Sequence, residues 1–311
     1  MERNTLERHG DELPLCRENA AARADAYLRA IEPYPGHFHG RGLVTCAGGV
    51  RYNTCAWVLI KFTRALGCTL PIQVWHLGPE ERDERWIALA EELGVQCVDA
   101  AAVCGEHPHR GLSGWPLKPY AILHSPFREV LFLDADNMPV ADPTYLFDAP
   151  RYRRQGAIFW PDDRKTARQS QRWEVFGVDY RDEMEVESGQ MLVNKRACWR
   201  ALKLCNWYNE HADFFYRVVY GDKDTFRFAW HRCGRRYAMP RRGLARIPYT
   251  LCQHDLEGRR VFQHRCLEKW SLQGNRPSSG FQHERKCLQY LDELRRRWKP
   301  GGEAKRKTDD E

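Results

Sequence analysis

Between Gly42 and Val98 short apolar runs alternate with longer helix-patterned stretches closed by glycine, without an internal sequence repeat. Gly42-Leu43-Val44-Thr45-Cys46-Ala47, Pro71-Ile72-Gln73-Val74-Trp75-His76-Leu77 and Val95-Gln96-Cys97-Val98 read as buried strands. The stretch from about Tyr52 to Leu66, closed by Gly67, reads as a helix. So does the stretch with Trp86, Leu89, Ala90 and Leu93 at i, i+3, i+4 and i+7, ended by Gly94. Strand, helix, strand, helix, strand implies a parallel sheet with right-handed crossovers, and so an α/β fold. No Gly-x-Gly-x-x-Gly fingerprint follows the first strand, which disfavours a dinucleotide enzyme.

A short helix around Leu117–His124 feeds the next strand, Glu129-Val130-Leu131-Phe132-Leu133, which runs into Asp134-Ala135-Asp136-Asn137. Side chains two apart in a strand face the same way, so Asp134 and Asp136 are expected to project together from its carboxyl end. Open α/β sheets place their ligands there. Two unpaired carboxylates repel and are costly to desolvate, and a divalent cation resolves both problems. Asn137, Pro139 and Ala141-Asp142-Pro143 read as the signals that stop the strand.

The chain has 311 residues, 42% of them hydrophobic and 11 of them Trp, enough for a large core. No window approaches 18 consecutive apolar residues, so no transmembrane helix is expected. The amino terminus lacks an apolar stretch of the secretory kind. Twelve cysteines contain no Cys-x-x-Cys pair, and several sit in apolar contexts, as buried thiols do. Reduced thiols and a cytoplasmic location are the expectation, with peripheral membrane association left open. The net charge of +7 suits an anionic ligand. The basic residues are scattered rather than gathered in a stripe, so no nucleic-acid partner is expected.

Residues 1–40 read as a helical or loose lead-in, 276–298 as a carboxyl-terminal helix and 299–311 as a charged, disordered tail. In between, Gly156–Trp160, Gln190–Val193 and Arg260–His264 read as strands. A long helix is expected from about Arg196 to Val219, and another after Asp222.

Four further segments, one before and three after, join the carboxylate pair: Trp115-Pro116-Leu117-Lys118-Pro119, Glu187-Ser188-Gly189-Gln190, Gly221-Asp222-Lys223-Asp224 and Phe262-Gln263-His264 with Lys269-Trp270. In this order over roughly residues 41–271 they resemble the fungal-type α-mannosyltransferases, the Mnn1/Mnn2-like group. That resemblance implies a single GT-A (Rossmann-like) domain over 41–275 with a mixed central sheet, related to glycogenin-like and galactosyltransferase-like retaining enzymes.

The resemblance also implies roles. Asp134, Asp136 and His264 would hold Mn²⁺ or Mg²⁺, with His254 the rival histidine. Asp134, Ala47, Gly48, Tyr52, Lys118, Ser188, Gly189 and Lys269 would bind the nucleotide sugar, Tyr52 stacking on the base and Lys269 neutralising the leaving diphosphate. Asp222, Asp224, Glu187 and Gln190 would surround the reacting carbon. The implied reaction is metal-dependent hexose transfer with retention, from GDP-mannose or a UDP-hexose to a glycan or other hydroxyl acceptor. Asp224 or Glu187 would act as nucleophile, or the acceptor would attack from the same face.

Plainer explanations stand beside these. Asp222 and Asp224 at a helix start suit a cap and the helix dipole. Tyr52 suits the core, and His264 suits a satisfied core histidine. In other function classes, the same carboxylates fit a metal-dependent phosphate-cleaving or nucleic-acid-binding protein, and a non-catalytic sugar-binding module needs no diphosphate site.

Overall fold

The computed structural model describes residues 14–299. The tail expected over 299–311 falls, beyond Lys299, outside the described residues, as does the start of the lead-in. Strands are β1 His39–Cys46, β2 Ile72–His76, β3 Val95–Asp99, β4 Phe127–Leu133, β5 Asn137–Pro139, β6 Ala157–Lys165, β7 Met184–Asn194, β8 Ala245–Ile247, β9 Thr250–His254 and β10 Arg260–His264. The longer helices are α1 Arg17–Ala30, α2 Gly49–Ala65, α3 Glu84–Glu91, α4 Leu117–His124, α5 Lys195–Glu210, α6 Lys223–Arg232 and α7 Glu284–Arg297.

Six strands form the central sheet in the order β3-β2-β1-β4-β7-β6. β3, β2, β1 and β4 run parallel, and β7 pairs antiparallel with both β4 and β6. The sheet is thus mixed, as expected. It is buried on both faces, which is why its strands read as near-continuous apolar runs. Alternation divides β4 between the two cores: Leu131 and Leu133 pack with α2 residues such as Trp57 and Leu59. Val130 and Phe132 pack with Tyr120 and Ile122 of α4 and Leu202 and Tyr208 of α5.

The second sheet, in the order β5-β10-β9-β8, is antiparallel. Asn137–Pro139 was expected to end a strand, yet these residues form the edge strand of this sheet. They pair with β10 in the register His264↔Asn137. That pairing carries the late histidine back to the carboxylate turn.

One further expectation changes, the extent of the long helix after Arg196. The lead-in contains α1, which buries Ala20 and Ala24 and stacks Tyr27 on Trp207 of α5 at 5.5 Å. The long helix expected over 196–219 stops at Glu210, because His211 leaves helical geometry (φ −110°, ψ 37°); a separate turn, Ala212–Phe215, follows. α7 packs on α2, where Trp57 Nε1 donates to the Tyr290 carbonyl at 2.9 Å. All twelve cysteines are unpaired. No helix among the described residues is long and apolar enough to cross a membrane.

Candidate active site

β4 ends at Leu133, so the strand pleat does not bring Asp134 and Asp136 together as expected. A turn does so. The Asp134 N–H donates to the Gly189 carbonyl and the Asn137 N–H to the Asp134 carbonyl, both at 2.9 Å. The turn links the two sheets, and β10 sets His264 against it. His264 Nε2 lies 3.2 Å from Asp136 Oδ1 and 3.8 Å from Asp134 Oδ2. One ligand atom each from Asp134, Asp136 and His264 falls within 4.8 Å of the others. His254 stands apart on β9, its Nδ1 3.2 Å from the Gly243 carbonyl.

Glu187 and Gly189 of β7 position the histidine. Glu187 Oε1 is 3.1 Å from His264 Nδ1 and accepts the Gly189 N–H at 2.9 Å. A Cβ on residue 189 would fall 2.4 Å from His264 Nδ1 and 2.7 Å from Glu187 Oε1, so only glycine admits the ring at this distance. Gln190 is fully buried below, linking Glu187 to Asn137 Nδ2, which donates to Gln190 Oε1 at 2.7 Å. Glu187, Gly189 and Gln190 lie beneath the floor of the cleft and orient His264.

Two lysines neutralise the carboxylates. Lys118, in the first turn of α4, reaches Asp134 Oδ1 at 3.1 Å, Asp222 Oδ2 at 3.2 Å, and both the carbonyl and Oγ of Ser188 at 3.0 Å. Lys269 Nζ pairs with Asp136. Burial would lower the Lys118 ammonium, but Asp134 and Asp222 override it and hold the group well above its ordinary value. Lys269 is likewise raised by Asp136 against burial. Burial pushes the Asp134 carboxyl up. At Asp136 burial also acts upward, but His264 and Lys269 outweigh it and keep the carboxyl low. Burial would lower the His264 ring, whereas Asp136 and Glu187 raise it well above its usual range.

Asp134, Asp136, His264, Lys118, Ser188, Asp222 and Lys269 line one cleft of about 1120 Å³. Ala47, Gly48 and Tyr52, at the β1–α2 junction, line it too. Tyr52 is 39% exposed, and Lys269 Nζ sits 5.5 Å from its ring centroid. Tyr52 is therefore an open aromatic face beside a cation and not a core residue.

Asp222 precedes α6 but its carboxylate makes no capping bond. It turns instead to Lys118 and to Ser188 Oγ at 3.3 Å. Asp224, expected beside the reacting carbon, is not brought there. It is fully buried, 3.0 Å from Arg227 and 3.4 Å from Arg172. Two residues further into a helix the side chain faces the core, where only a paired carboxylate is tolerated.

Among the cleft residues that escaped the sequence reading are Trp115, Tyr216, Tyr220 and Lys223. Trp115 and Lys223 stood inside segments already singled out. For Tyr216 and Tyr220, sequence offered no local signal, because their partner Trp115 is about a hundred residues away.

A family model described as "Mannosyltransferase putative" matches residues 40–185 and 177–255. Alpha-1,2-mannosyltransferase MNN21 of Candida albicans is 27% identical over 287 residues, covering 72% of this chain and 43% of the relative. Alpha-1,2-mannosyltransferase MNN2 of Saccharomyces cerevisiae is 24% identical over 238 residues, covering 61% and 40%. The chain thus spans less than half the length of these curated relatives. Among solved structures, the galactosyltransferase LgtC in complex with donor and acceptor sugar analogs is 18% identical, with a TM-score of 0.44 over 64% of this chain and 73% of that one. With well over half of its residues matched by the family model, the chain belongs to this family of mannosyltransferases.

Proposed function

We propose that the cleft transfers a hexose, mannose by kinship, from a nucleoside diphosphate sugar to a hydroxyl of a glycan acceptor, with a divalent metal and with retention of configuration. The observation that carries this reading is the convergence of Asp134, Asp136 and His264 with Lys118 and Lys269 on one cleft. Two carboxylates and one imidazole make a donor set that Mn²⁺ or Mg²⁺ accepts. A bound cation would offset the charge that develops on the departing diphosphate.

The chain's own residues supply the rest. Lys118 and Lys269, held charged by their carboxylates, stand ready to exchange those partners for phosphate oxygens. Tyr52 offers the base a stacking face, with GDP-mannose the favoured donor and a UDP-hexose the alternative. Neither proposed nucleophile presents a free carboxylate: Asp224 is sealed in its arginine pairs, and Glu187 is engaged by Gly189, Gln190 and His264. This supports attack from the same face. The acceptor oxygen bonds to the anomeric carbon as the bond to the β-phosphate oxygen breaks, and the hydroxyl proton passes to that oxygen. Asp222, held by Lys118 and Ser188, is placed to bind sugar hydroxyls. A compartment that keeps thiols reduced fits the twelve unpaired cysteines, and we propose the cytoplasm.

The test is a panel of nucleotide sugars assayed for nucleoside diphosphate release with and without Mn²⁺, in the wild type and Asp136→Ala. Metal-dependent release that the substitution abolishes is expected. Equal activity in the two proteins sinks the reading.

A further inference from the structure

Trp115 is 48% exposed and Tyr220 73% exposed, although aromatic faces are ordinarily covered. Both line the cleft, with Tyr216 between the same walls. The Trp115 ring centroid is 5.3 Å from that of Tyr220 and 5.8 Å from that of Tyr216, inclined at 55° and 65°. Gly221 makes this possible. It adopts φ +63°, and a Cβ there would come within 2.8 Å of Trp115 Cε3. The three rings form a built apolar corner, with Trp115 and Tyr220 open to water and Tyr216 half-buried behind them.

Its position in the cleft is fixed by covalent neighbours. The Lys118 N–H donates to the Trp115 carbonyl at 3.1 Å, and the Lys118 ammonium reaches Asp134 and Asp222. Tyr220 is two residues before that Asp222. The corner therefore adjoins the Asp134–Lys118–Asp222 side of the charged centre. Tyr52 and Lys269 occupy the Asp136 side. A donor with its base on Tyr52 and its diphosphate between the lysines directs its sugar toward Asp222, and the aromatic corner lies beyond.

We propose that Trp115, Tyr216 and Tyr220 form the acceptor subsite, a stacking platform for a pyranose ring of the acceptor glycan. The inference rests on the transferase reading for the direction in which the donor lies. A pyranose has one face of C–H bonds that an aromatic face can cover, while its hydroxyls need polar partners at the edge. Those are present: Lys223 lines the same cleft with its Nζ 2.6 Å from Asp162, and Asp213 stands at the rim, 2.9 Å from Arg110. An aryl platform with a polar rim selects a saccharide over a polypeptide hydroxyl.

The experiment uses the full chain, with mannobiose as acceptor probe and GDP-mannose with Mn²⁺ as donor probe. Initial rates give a KM for each, and saturation-transfer NMR reports mannobiose binding without donor. Tyr220→Ala and Trp115→Ala are expected to raise the mannobiose KM by about tenfold and weaken its NMR transfer in step, while the donor KM stays within about twofold. Tyr220→Phe, which keeps the ring, restores the wild-type mannobiose KM. Mannobiose binding unchanged in both alanine variants overturns the platform, as does absence of mannobiose binding to the wild type. A rise in donor KM instead assigns the corner to the donor and overturns it too. Lack of donor binding in a protein whose mannobiose binding depends on Trp115 and Tyr220 sinks the transferase reading and leaves the platform standing.

Discussion

Two clusters of buried charge meet β7 two residues apart, and they are built differently. Around Glu185, three carboxylates (Glu185, Asp224 and Asp162) meet three permanent cations (Arg172, Arg227 and Lys223). Around Glu187, four carboxylates (Glu187, Asp134, Asp136 and Asp222) meet two lysines and a histidine. The first set balances within itself. Arg227 is also sandwiched by rings, its guanidinium carbon 4.6 Å from the Phe228 centroid and 5.5 Å from that of Trp173. The second keeps an excess of negative charge even with His264 protonated, and it opens on the cleft. Charge balanced within itself holds structure, whereas unbalanced charge at a cleft waits for a ligand.

Neighbouring aspartates separate the two roles most sharply. Asp224→Ala strands Arg227 in the core, and the expected cost is about 3–5 kcal/mol of stability in chemical denaturation. Asp222→Ala removes a carboxylate from the cleft edge. Its expected effect is about a hundredfold loss in kcat/KM for the nucleotide sugar, with a far smaller change in denaturation midpoint. If the two variants exchange effects, the distinction between the clusters collapses.

Gly189→Ala sharpens the contrast within the cleft cluster. The added methyl meets His264 Nδ1 and Glu187 Oε1, so the ring must move off the carboxylate pair. Orienting groups of this kind are worth about 10–100-fold in metal affinity. Titration with Mn²⁺ followed by calorimetry is expected to show a loss of that size. Unchanged affinity would mean that His264 does not hold the metal.

How much of this could be read beforehand depended on range. β1, α2, β2, α3 and β3 were legible because each rests on local periodicity, and α4 matched over Leu117–His124. The second sheet was largely missed. β5 and β8 are three residues each, too short for a pattern; β5 finds its partner in β10, more than a hundred residues later, and β8 pairs with β9. The carboxylate pair was visible, but its turn geometry was not, since that turn is held by the Gly189 carbonyl from another strand. Asp222 and Asp224 looked interchangeable in the sequence. Only the orientation of α6 against β7 sends one to Lys118 and the other to Arg227.

Glu210 extends the comparison to a buried carboxylate in neither cluster. It closes α5, where the helix dipole disfavours an anion. Burial pushes its carboxyl up to about 7, against the pull of Lys203 and of Asn206 Nδ2, which donates to it at 2.8 Å. A carboxyl raised in the folded state binds its proton more tightly there than in the unfolded chain, whose ordinary value is 4.5. Below that value both states are protonated and the group is neutral to stability. As pH rises from about 4.5 to about 7, the unfolded chain ionises first, so this group's contribution makes stability fall across that window. Glu210→Gln, which keeps the amide neutral at every pH, removes that slope. Relative to wild type, the variant is expected to gain stability between about pH 5 and about pH 7.5 in urea denaturation. A difference that is the same at both pH values would show that Glu210 ionises normally, and that burial at a helix end does not by itself demand the counter-cations that Asp224 has.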